Sequence, residues 1–101
     1  MPSTKQIEKS QTFLSIEKIL EDGVGEYYAT MPPKLQKRFK DNGTKITRSI
    51  EKLFLSKQNK IVEIAKLVHD WLDIIPHASP FYLEQEAKTK ADEIMRLKNN
   101  Q

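Results

Sequence analysis

The sequence predicts an all-α fold, a small bundle of four main helices with a short helical turn. Three observations carry this. Apolar residues recur at steps of three and four along most of the chain, no stretch alternates at strand period, and prolines and cap residues separate the helical stretches. The 101 residues, 38% hydrophobic and 31% charged, suffice for one domain with a single modest core. That composition is too apolar for a disordered chain and too polar for a membrane span. Cysteine is absent, which excludes disulfides, thiolate zinc sites and cysteine nucleophiles. Three glycines leave little material for a phosphate-cradling loop or a many-turned β architecture.

The first helix is expected at about 12–22, with Phe13, Ile16, Ile19 and Leu20 on one side, Thr12 as N-cap and Gly23 just past the end. Residues 1–10 are polar and expected to be frayed or disordered, so the domain is placed at 11–98. A short helical turn follows near 24–30, and Pro32-Pro33 closes it. Pro33 also suits the first turn of the next helix, about 33–57, whose stripe is Leu35, Phe39, Gly43, Ile46, Ile50, Leu53 and Phe54. Asp41-Asn42-Gly43 would make a turn in isolation, and glycine costs about 1 kcal/mol against alanine inside a helix. A break there, however, puts the two apolar faces out of phase. One continuous helix is therefore expected, with Gly43 on the buried side where a neighbour's backbone approaches. Ile61, Ile64, Ala65, Val68, Trp71, Leu72 and Ile75 mark the third helix, about 60–75, stopped by Pro76. Ser79 and Pro80 open the fourth, about 80–98, with Leu83, Ala87, Ala91, Ile94 and Leu97 inward and Glu84–Lys88 and Glu86–Lys90 as i,i+4 pairs.

The net charge of +3 hides a partition: residues 34–60 hold nine bases and two acids. On a continuous helix Lys34, Arg38, Lys45, Arg48 and Lys52 share one stripe with Asp41, opposite the apolar face. Three uses fit this stripe. It is a solvated outer face, a docking face for nucleic acid or another polyanion, or a contact for an anionic membrane surface. No exposed aromatics are evidently interleaved to stack bases. Insertion into a membrane is not expected, because Glu63, Lys66, Asp70 and Asp73 line one side of the most apolar helix. The start of the chain lacks a signal-peptide apolar run, so the default compartment is the cytoplasm.

Reactive groups are sparse. His69 and Asp73 stand i,i+4 and could chelate together, but His77 lies beyond Pro76 and no third ligand converges; a polar helix edge explains them as well. The carboxylate pairs Glu84/Glu86 and Glu21/Asp22 have no apolar cleft around them to tune their acidity. Serines fall at helix ends or on polar faces, where capping accounts for them. No catalytic residue, metal or cofactor is expected. Trp71 lies in the apolar stripe and is read as core, with partner anchoring as its alternative. Tyr27, Tyr28 and Met31 either plug one end of the bundle or form a contact patch for a partner, and an uncovered apolar groove is first to be sought beside Tyr27, Tyr28 or Trp71.

The segment from Trp71 to Ile94 resembles a family of short, uncharacterised bacterial all-helical proteins. Its pattern is W-L-x-x-I-P, a short turn, an aromatic pair, then L-E-Q-E-A-K-x-K-x-D-x-I, carried here by Trp71-Leu72, Ile75-Pro76, Phe81-Tyr82, Leu83 to Lys88, Lys90, Asp92 and Ile94. Ile16 to Glu21 and Met31 to Gln36, with Phe39 and Gly43, resemble earlier motifs of the same family. Two positions depart from it: a glycine usual after I-P is His77, and a second phenylalanine is Tyr82. The resemblance implies a helical unit often preceded by a proline-rich polar tail, with no assigned activity, cofactor or catalytic residue. Such a unit suits an accessory or docking role. The combined expectation is a non-enzymatic helical interaction module with a protein partner or a second copy of itself. The alternative is nucleic-acid or other polyanion binding through the basic helix 34–60.

Overall fold

The four longer helices begin where a side chain or a proline can stand in for missing backbone partners. The computed structural model describes residues 9–100, and five helices follow in order: α1 (Gln11–Glu21), α2 (Gly25–Thr30), α3 (Pro33–Phe54), α4 (Ile61–Leu72) and α5 (Pro80–Asn99). Among the described residues there is no strand. The Ser79 hydroxyl accepts from the Tyr82 amide at 3.0 Å and Pro80 opens α5, as expected. At α1 the cap is Ser10 rather than Thr12: its hydroxyl accepts from the Phe13 amide at 3.0 Å. Both hydroxyls fit the local pattern. Ser10 has a second partner, since the same hydroxyl donates to the Glu51 carboxylate on α3. Of the expected frayed segment, residues 1–8 lie outside the described residues; Lys9 and Ser10 are both engaged, Lys9 through a 3.0 Å ion pair to Glu17.

Helix α3 runs unbroken through Gly43, about 33 Å long at its 22 residues. It ends at Phe54 rather than 57, and the Lys98 ammonium from α5 takes the Ser56 carbonyl just beyond. Helix α4 also stops early, at Leu72. There Ile74 and Ile75 donate to Trp71 and Leu72 carbonyls at 3.1 and 2.9 Å, a tightened turn imposed by the approach to Pro76. His77 follows at φ +64°, in the left-handed region that favours glycine.

Packing closes a ring: α1 lies on α3 and α5, α3 on α4, and α4 on α5, while α2 leans on α3. The molecule measures 37 × 36 × 17 Å, a slab two helix layers thick. Phe13, Ile16, Leu20, Ile50, Ile64, Val68, Leu72 and Ile94 are fully enclosed between the layers. At the α3–α4 crossing the Trp71 indole stacks on the Phe39 ring, centroids 4.4 Å apart, and donates its N–H to the Phe39 carbonyl at 2.8 Å. Gly43 makes room for it, since a Cβ there would stand 3.1 Å from the indole nitrogen. The neighbour that needs the glycine is thus a side chain and not the expected backbone. Trp71 is core, with its polar edge satisfied.

The second tie is a buried lysine. Lys90 is 2% exposed, and its ammonium donates to the Ile19 and Asp22 carbonyls at the end of α1, at 3.1 and 2.5 Å. It meets carbonyls at the negative end of that helix dipole, the Ile19 carbonyl also accepting from the Asp22 amide at 3.3 Å. The expected Glu86–Lys90 pair forms at 3.6 Å, but as the outer flank of this buried cation. Glu84 and Lys88 are both exposed, and among the described residues they form no ion pair.

Two substitutions test these backbone demands in opposite directions. Gly43→Val crowds an indole held by a hydrogen bond and a ring stack, and is expected to lower unfolding stability by about 2 kcal/mol. His77→Gly relieves a left-handed conformation and is expected to raise it by about 0.5 kcal/mol. Urea titration followed by Trp71 fluorescence measures both; a Gly43→Val chain as stable as the parent would remove the close-approach constraint.

Candidate functional site

Because the apolar side of α3 faces α1 and α4, its opposite side is left to solvent, and the sequence places cations there. Lys34, Arg38, Lys45, Arg48 and Lys52 are all exposed, and from Lys34 to Lys52 the stripe spans about 27 Å at 1.5 Å per residue. Asp41 interrupts it but is occupied by Lys37, Nζ to Oδ2 3.1 Å. Among the described residues none of the five stripe cations is in an ion pair. One has an internal role: the Arg48 guanidinium lies 4.7 Å from the centroid of the Phe13 ring, which Lys9 flanks at 5.1 Å.

Where α3 ends, two large aliphatic side chains stand in solvent. Leu55, the C-cap of α3, is 78% exposed, and Val62, the second residue of α4, is 76% exposed. Lys57 and Lys60 lie between them and Lys52 and Lys66 on either side, all of these except the half-buried Lys60 exposed. Glu63 is the one acid within residues 52–66. Sequence reasoning passed over this corner. The available signal was angular: Leu55 falls on the cationic side of α3, and Val62 falls outside the Ile61/Ile64/Ala65/Val68 arc.

The aromatic end of the slab resolves differently from the expected contact patch. Met31 is buried, so it contacts the core and not a partner. Tyr28 is half-buried, its ring 6.4 Å from that of Phe39 and its carbonyl accepting from the Gln36 amide at 2.9 Å. These two plug the bundle. Tyr27 alone of the three is exposed, tilted against Tyr82 with centroids 5.3 Å apart, and Phe81 projects beside it in sequence. A groove of about 440 Å³ opens beside Tyr28 and Trp71. Leu20, Val24 and Phe39 line it, with Glu17, Glu21 and Lys40 among its polar lining residues.

Ser10 and Ser79 cap helices. His69 stands 3.7 Å from Asp70, and among the described residues no three potential ligands gather to hold a metal. No described helix is long and apolar enough to cross a membrane. In comparisons with known proteins, no family model, curated protein or solved structure matches the chain.

Burial pushes the Tyr82 phenol up to about 12, and the Glu86 carboxylate and the Tyr27 phenol act in the same direction. An unfolded tyrosine releases its proton near pH 10. Between pH 10 and 12 the unfolded chain has therefore lost a proton that the folded chain retains, so stability is unaffected below this window and falls as pH rises through it. Tyrosinate absorbance is expected to show a late phase from Tyr82, and Tyr82→Phe to abolish it.

Proposed function

We propose that this chain is a non-enzymatic helical interaction module that docks onto an anionic macromolecular surface through the outer face of α3. The carrying observation is the stripe of five exposed cations, Lys34, Arg38, Lys45, Arg48 and Lys52, unpaired among the described residues and rigidly spaced along one continuous helix. A helix fixes these charges relative to one another, so binding costs little ordering beyond the side-chain tips. The polar ties of the fold run elsewhere, through Trp71, Lys90 and Ser10–Glu51, which leaves most of the stripe free to be neutralised from outside. The charge density of residues 34–60, nine bases against two acids, favours a partner with repeated negative charge over one with a single carboxylate.

Duplex and single-stranded nucleic acid are the simplest polymers on which to test this. Fluorescence anisotropy at low salt is expected to show binding whose logarithmic salt slope is about −4 for duplex, as several phosphate contacts release counterions. A Lys34→Glu, Lys45→Glu, Lys52→Glu variant spares Arg48 and its Phe13 contact, so it is expected to fold and to lose the binding. Binding that is indifferent to salt or to this charge reversal would overturn the reading.

A further inference from the structure

We propose that the α3–α4 corner is a membrane-contact tip, and that the anionic surface met by the α3 face is a lipid bilayer. This rests on the docking role of α3 and names its partner. The observation is the pairing of opposite chemistries at one corner. Leu55 and Val62 are 78% and 76% exposed, the two most exposed large hydrophobic side chains among the described residues, and they sit at the two ends of a connection that carries Lys57 and Lys60. A protein that binds only phosphate polymers gains nothing from aliphatic groups held in water. A bilayer interface uses both: lysines reach the headgroups while leucine and valine enter the acyl boundary. The corner is also braced. Lys98 donates to the carbonyls of Ser56 and Gln58, tying the connection between the two aliphatic groups to the end of α5.

Phe81 shows why exposure alone does not select a tip. It is 73% exposed, yet it opens α5 with Glu84 one turn on and Asp73 on the preceding connection, both exposed carboxylates that an anionic surface repels. At the α3–α4 corner, four lysines face one acid, Glu63, within residues 52–66. Charge complementarity therefore singles out one of the two ends, and the α3 stripe leads into it. No described helix crosses a membrane, so contact is peripheral.

The test uses the full chain with vesicles of phosphatidylcholine alone, vesicles containing phosphatidylserine, and duplex DNA in parallel. Sedimentation is expected to show binding to the anionic vesicles well above that to the neutral ones. Leu55→Ser with Val62→Ser is expected to weaken the anionic-vesicle partition by about tenfold and to leave DNA binding unchanged. Because the chain has no cysteine, Leu55→Cys carries a single environment-sensitive dye, whose emission is expected to shift blue on anionic vesicles while the same dye at Phe81→Cys does not. Vesicle binding that survives the double serine variant, or a dye at residue 55 that stays in water, overturns the tip and leaves the α3 docking reading standing. Binding to DNA but not to vesicles overturns it in favour of nucleic acid. Binding to neither overturns the docking reading as well.

Discussion

The indole of Trp71 packs tightly on the backbone of α3 where residue 43 has no side chain, and that contact orients the helices on each other. The Phe39 carbonyl lies one helical turn before Gly43, where it accepts the indole N–H at 2.8 Å while the Phe39 ring carries the indole's face. Polar donor and aromatic face are thus satisfied by one residue, which fixes both the rotation of α4 and its height along α3. Hydrophobic packing alone specifies these quantities weakly, since apolar ridges one turn apart fill similar grooves. Once α4 is fixed, the short connection through Pro76 and Ser79 sets α5 against it.

Lys90 performs the corresponding task on the other side of the ring. A buried ammonium is costly unless its donors are satisfied, and here the Ile19 carbonyl of α1, the carbonyl of its C-cap Asp22 and the Glu86 carboxylate meet it. The cation also lies where the α1 dipole is negative. Both ties have the same form: a long side chain from the C-terminal half donates to a backbone carbonyl of an N-terminal helix. Each is directional, so each rejects neighbouring registers that a purely apolar interface tolerates.

Helix content was legible because it is written locally. The continuity of α3 through Asp41-Asn42-Gly43 followed from phase alone, and Ser79-Pro80 announced α5 through cap chemistry. The basic stripe was legible for the same reason, being a property of one helix. What escaped the sequence depends on distant partners. Lys90 looks like one half of an i,i+4 pair until α1, about seventy residues earlier, is laid over it. Met31 looks like a neighbour of the exposed Tyr27 until α3 turns it inward. Ser10 and Thr12 are equal as local caps, and Glu51 on another helix supplies Ser10's second partner. The premature end of α4 was closer to legible, because proline acts on the turn before it as well as on its own position.

The α3 stripe is costly to the fold that carries it. Lys34 and Arg38, and Arg48 and Lys52, are like-charged i,i+4 neighbours, each destabilising the helix by about 0.2 to 0.5 kcal/mol. Asp41 offsets part of this by pairing with Lys37, not with a stripe member. Carboxylates are available on the other helices, yet among the described residues they do not cross to the stripe cations. A solvated face chosen for folding alone gains by alternating its charges. This one concentrates a single sign along α3 and ends beside two aliphatic groups that the core has no use for. Like-charge repulsion along the stripe raises the free energy of the isolated chain, and contact with a negatively charged surface, under the docking proposed above, would relieve it.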